Sequence, residues 1–93
     1  MSRSVIQTQT LGAGLGAALS LKAGTRQLTV SIDGGSDALE AGVVELYDAA
    51  GTKFVIDLAA LEQWSQPFPG GLSGWTLKAK ADAGAPTLRV IES

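Results

Sequence analysis

The stretch 43-VVELYDAAGTKFVIDL-58 decides the fold. Its middle, Asp48-Ala49-Ala50-Gly51-Thr52, has the chemistry of a type I turn closed by a G1 bulge. Asp48 can accept from backbone N–H groups further along the turn, and Gly51 supplies the positive φ that the bulge requires. That turn sets Asp48 against Thr52. Leu46 then faces Phe54, Val44 faces Ile56, Tyr47 faces Lys53, and Glu45 faces Val55. Side chains alternate along a strand, so Val44, Leu46, Phe54, Ile56 and Leu58 share one wholly apolar face. Val43, Glu45, Tyr47, Lys53, Val55 and Asp57 share a mixed one. A slip of one residue would turn Phe54 and Ile56 outward, so the register is strongly specified.

Working outward, 26-RQLTVSID-33 alternates as a strand with Leu28, Val30 and Ile32 inward. The turn Lys22 to Thr25 precedes it, and residues 18–23 read as its antiparallel hairpin partner. On the other side, 75-WTLKAKA-81 places Trp75, Leu77, Ala79 and Ala81 inward. Asp82 to Pro86 turns the chain, and 87-TLRVIE-92 runs back with Leu88 and Val90 inward, as a second hairpin. Val5 to Leu11 is a further β-branched, alternating run. Asp33 to Gly42 reads as a loop. Asp57 can cap a short helical turn over Leu58 to Trp64, and Gln66 to Gly71 carries two prolines and two glycines, the marks of irregular chain.

The total is six to seven short strands, an all-β chain that folds as a small antiparallel β-sandwich or barrel. At 93 residues it is a single domain spanning 1–93, with residues 1–17 read either as part of it or as an extended N-terminal arm. A chain of this size buries only about 60–65% of its unfolded surface. Apolar residues make up 45% of it but aromatics only 5%, so the core is built from Leu, Val, Ile and Ala and is thin enough to gain from a partner subunit.

Composition narrows the chemistry. There is no Cys and no His, which removes disulfide scaffolds, thiolate zinc sites, and the commonest general base and metal ligand. Seven basic and nine acidic residues give a net charge of -2, and the basic ones are scattered, without the stripe that a nucleic-acid binder shows. Gly71-Leu72-Ser73-Gly74 lacks the spacing of a nucleophile elbow. The expectation is a protein that is not an enzyme, with no catalytic residues, no cofactor and no metal. Asp33, Asp37 and Glu40 do not match a calcium-loop spacing, and a solvated acidic loop accounts for them better.

The run 11-LGAGLGAALSL-21 is too short to span a membrane and lacks the cleavage pattern of a signal peptide. Gly12, Gly14 and Ala17 fit a dinucleotide fingerprint by spacing. Strand-like alternation resumes at Leu19, however, where that motif needs a helix. A glycine-rich bend between strands is the better reading.

Two of the five aromatics, Trp64 and Phe68, lie in or beside the Pro67–Pro69 stretch. Such residues either plug the end of a two-layer fold or face a partner, and for one residue taken alone the plug is favoured. With Tyr47 on the mixed face they also admit a carbohydrate-binding or adhesin-type module, for which five aromatics is a thin supply.

The runs QLTVSIDGG (27–35), VVELYDAAGTKFVIDL (43–58) and GWTLKAKADAGAPTLRVIES (74–93) give the chain a resemblance to the small all-β structural proteins of tailed-phage virions, such as head decoration proteins and small neck or tail components. The resemblance is one of size and style over the full length. It implies a virion structural protein, present as a homo-oligomer on the extracellular particle and assembled in the host cytoplasm. Its partners would be the major capsid protein or neighbouring subunits, with no nucleic acid and no membrane, and its role to bind and stabilise or decorate a capsid lattice. A neck or tail position is the alternative within the same resemblance. The candidate contact residues are Val5, Ile6, Leu11 and Leu15 in the N-terminal segment, and Trp64, Pro67, Phe68 and Pro69 in the aromatic loop.

Overall fold

A computed structural model describes residues 5–35 and 38–93. Among these the chain is an all-antiparallel β structure without helix, built as two sheets. The strands are β1 (Val5–Thr10), β2 (Leu19–Ser20), β3 (Gln27–Gly35), β4 (Ala38–Leu39), β5 (Gly42–Tyr47), β6 (Lys53–Leu58), β7 (Gln63–Pro67), β8 (Thr76–Ala81) and β9 (Thr87–Glu92). One sheet runs β1-β9-β3, with β7 and β4 sharing the far edge of β3. The other runs β2-β8-β5-β6.

The inward rows are those that alternation dictates. Leu28, Val30, Ile32, Leu88 and Val90 of one sheet meet Val44, Leu46, Leu77, Ala79 and Ala81 of the other in a single core, which Leu11, Leu21, Leu58 and Leu72 complete. The β5–β6 hairpin has the expected register, Leu46 against Phe54 and Val44 against Ile56. Its turn is the G1 form. The Asp48 N–H donates to the Thr52 carbonyl at 3.0 Å, the Asp48 carboxylate accepts from Ala50 and Thr52 N–H, and Gly51 has φ +89°. Open space surrounds the position of a Gly51 Cβ, so backbone conformation alone sets the cost of a substitution. Gly51→Val is expected to lose about 1 kcal/mol or more in urea unfolding.

Four expectations give way. Residues 18–23 do not pair with 26–32: β2 pairs with β8, while β3 pairs with β9, β7 and β4. Nor do β8 and β9 form a hairpin, since β8 pairs with β5 and β9 with β1. In both places a short turn arches from one sheet to the other. Asp82 N–H donates to the Ala41 carbonyl, and Pro86 carbonyl accepts from Leu11 N–H, which anchors the second arch in the two layers separately.

The third concerns residues 58–64, which hold a turn and the start of a strand where a helical turn was expected. Glu62 N–H donates to Ala59, the Glu62 carboxylate accepts from Ala59 N–H, and Leu61 takes φ 70° with its N–H on the Leu39 carbonyl. A single helical turn closes too few hydrogen bonds to offset its nucleation, whereas β7 gains a ladder along β3. Gln66 and Pro67 therefore belong to a strand, and Pro67 ends it at a sheet edge, where a missing N–H is tolerated. Last, β3 continues to Gly35 and β4 returns beside it, where the composition of residues 33–42 predicts a loop. Asp37 lies outside the described residues, and so do residues 1–4. The strands number nine among the described residues, two of them only two residues long.

Candidate interaction site

The two sheets meet differently at their two sides. On the β1/β2 side, side chains close the gap. Gln7 donates to the Ser20 carbonyl, Gln9 donates to the Ala17 carbonyl, and residues 12–16 run along β8, with Gly16 N–H on Ala79 and Ala81 N–H on Gly12. Glu92, 2% exposed, accepts from Lys22 N–H at 2.6 Å, from the Thr25 hydroxyl at 3.1 Å and from the Gln7 amide at 2.9 Å.

The β6/β7 side stays open. Between these two edge strands lies an apolar groove of about 270 Å³, walled by Leu46, Phe54, Ile56, Trp64, Phe68 and Trp75, with Gln66 at its lip. The rings form one continuous series. Phe54 stacks on Trp75 (centroids 6.1 Å, planes 7° apart), Trp75 meets Phe68 edge-on (5.4 Å, 67°), and Phe68 tilts against Trp64 (6.3 Å, 52°). Four of the five aromatics of the chain are gathered here. Each arrives by a different local device. Phe54 is carried by the hairpin register, Trp64 by the pairing of β7 with Val30, and Phe68 by its N–H on the Arg26 carbonyl. Trp75 is set by the turn in which its N–H donates to Leu72.

The candidate contact residues are thus divided by the fold. Val5 and Ile6 lie on the edge strand β1, 37% and 59% exposed, and Leu15 is exposed in the segment that follows it. Leu11 is in the core. Trp64 and Phe68 are half-buried in the groove, so plug and exposed face are two sides of the same rings. Pro67 and Pro69 are exposed at its end. Sequence reasoning missed Phe54 and Trp75 as members of the site. Phe54 carried a signal: it is the first inward residue after the hairpin turn, at the rim of the apolar face.

The remaining aromatic stands apart. Tyr47, on the outer face of the other layer, donates its hydroxyl to Glu45 at 2.5 Å, and the Lys78 ammonium sits 5.5 Å from its ring centre. The hydrogen bond to Glu45, helped by partial desolvation and by the carboxylate's charge, holds the phenol above its ordinary pKa of 10.0.

No family model matches the chain, and no curated protein matches it. Among solved structures, the crystal structure of the SPBc2 prophage-derived protein YomS shares its fold. The superposition has a TM-score of 0.58 and covers 99% of this chain and 96% of that one, at 16% sequence identity.

Proposed function

We propose that this protein is a non-enzymatic structural component of a phage particle, a sandwich of two sheets that binds a capsid lattice and stabilises or decorates it. The observation that carries the reading is the fold shared with a prophage-derived protein over nearly the whole of both chains. The surface supports protein contacts in two places. One is the N-terminal segment: Val5 and Ile6 on β1, a sheet edge of the kind that accepts a neighbouring chain, and the exposed Leu15 beyond the end of that strand. The other is the aromatic groove with its rim of Trp64, Pro67, Phe68 and Pro69. A sugar site needs donors and acceptors placed around its stacking rings. This groove offers Gln66 alone, which favours an apolar protein segment over a glycan.

The test is the composition of particles purified from the organism that encodes the chain. The protein is expected in fixed ratio to the major capsid protein. Ile6→Asp combined with Leu15→Asp is expected to lower that ratio about tenfold, the loss of roughly 1.4 kcal/mol of contact, with an unchanged circular dichroism spectrum. A chain that stays wholly in the soluble lysate overturns the reading.

A further inference from the structure

The strand that borders the groove, β6, is an edge that nothing within the described chain covers. It pairs with β5 alone. It carries apolar residues on both faces, with Phe54 47% and Val55 54% exposed. Its central residues, 54-FVI-56, include no proline and no charge, the usual protections of a free edge.

The hairpin fixes which backbone groups are available on that edge. The turn's bond from Asp48 N–H to the Thr52 carbonyl points residue 52 toward β5. Antiparallel pairs alternate, so Phe54 and Ile56 also point to β5, whereas Lys53, Val55 and Asp57 turn N–H and C=O to the open side. The free edge is therefore the odd-numbered set, 53, 55 and 57.

That set is complementary to itself. When two copies of β6 run antiparallel about a two-fold axis through Val55, Val55 meets Val55 and Lys53 meets Asp57 of the second copy, twice by symmetry. All three positions are ones whose backbone groups face the partner, so each pair forms with its ladder bonds. Among the described residues the side chains of Lys53 and Asp57 enter no hydrogen bond or ion pair. In the pair each has an opposite charge directly across the strand, the favourable cross-strand arrangement. Phe54 then lies against Ile56 of the second copy in the closer, non-hydrogen-bonded pairs, on the inner face. There the two apolar grooves meet across the axis and cover one another. A shift of two residues would keep the backbone pattern but leave both charges without partners, so charge specifies the register.

We propose that the occupant of the groove side is a second copy of this chain, and that the protein is an isologous dimer with a continuous eight-stranded sheet, β2-β8-β5-β6 followed by its symmetry mate. The inference rests on reading the groove as a protein-contact surface, and not on the phage assignment. Pairing in solution and incorporation into particles are read by separate experiments, so either can fail alone.

The experiment is the solution mass of the full chain by light scattering over a range of concentrations. The expected mass is near twice the 9.5 kDa of one chain. Lys53→Asp and Asp57→Lys, each alone, set like charges across the strand and are expected to give monomers. The double variant Lys53→Asp/Asp57→Lys restores the attraction and the dimer. Both side chains are exposed, so each variant keeps its fold by circular dichroism. The chain has no cysteine, so Val55→Cys reports the axis directly: mild oxidation is expected to link it as a covalent dimer, because antiparallel partners fall within disulfide reach. Thr8→Cys, on the outer face of the other sheet, is the control expected to stay unlinked. A wild-type monomer throughout, single charge variants that still dimerise, a folded double variant that stays monomeric, or a Val55→Cys chain that links no better than the control would each overturn the proposal.

Discussion

Glu92→Ala is expected to destabilise the protein by about 3 kcal/mol, a large share of the 5–15 kcal/mol typical of a domain. The carboxylate is buried at the closed side of the fold, where an unaccompanied charge would be very unfavourable. It is tolerated because its two oxygens take three donors from two segments: Lys22 N–H, the Thr25 hydroxyl and the Gln7 amide. Those donors belong to the turn ahead of β3 and to β1, so one side chain at the end of β9 ties both to the sheet. Alanine removes the acceptor and leaves the donors facing a void beside the core. Glu92→Gln keeps the shape and one acceptor oxygen, and is expected to cost about 1 kcal/mol. Urea unfolding of the three proteins checks the order. In thermal unfolding the alanine variant should melt about 12–24 °C lower. An alanine variant as stable as the glutamine one would mean that water replaces the carboxylate without loss.

The burial of Glu92 was not read from the sequence, although its signal was there. Leu88, Val90 and Glu92 share the parity of one strand face, so the alternation that buries the first two also turns the third inward. The same arithmetic located the inward rows of β3, β5, β8 and β9, and the chemistry of Asp48 and Gly51 located the hairpin with its register. Neither says which sheet a strand joins. Lys22–Thr25 and Asp82–Pro86 have turn composition as good as that of a hairpin, yet both arch between layers, because composition fixes that the chain reverses and not the plane in which it does so. β7 was hidden for another reason. It is an edge strand stabilised by its neighbour β3, and Pro67 at its end mimics a loop. The groove was half legible. Trp64 and Phe68 stood out by their setting, but Phe54 and Trp75 reach them only through pairings between distant segments.

Gly71→Ala is expected to cost about 3 kcal/mol and to open the groove at the same time. Gly71 has φ +79°, in the left-handed region that disfavours a side chain. A Cβ there would also run into the carbonyl oxygen of Ala23 and come within 2.8 Å of Arg26 Nη1. The carbonyl is backbone, and it already accepts from Leu72 N–H at 3.2 Å, so it cannot move aside without breaking that bond. The strain therefore passes along the chain. Upstream, the bond from Gly71 N–H to Phe68 closes the turn that holds the Phe68 ring. Downstream, Leu72 is a fully buried core residue whose carbonyl accepts from Trp75 N–H. Displacing residues 71–72 thus shifts Phe68 and Trp75, the two rings in edge-to-face contact at 5.4 Å. Tryptophan emission is expected to move to longer wavelength as Trp75 gains water, together with the loss of stability. Gly70→Ala is the internal control. Its Cβ meets open space and its backbone is not in the left-handed region, so it should change stability by less than about 0.5 kcal/mol and leave the emission in place. Two adjacent glycines would then differ because one is pinned under the Ala23 carbonyl and the other is not. Equal effects at the two positions would mean that the loop yields as a whole and that the aromatic series does not depend on its anchorage to Ala23.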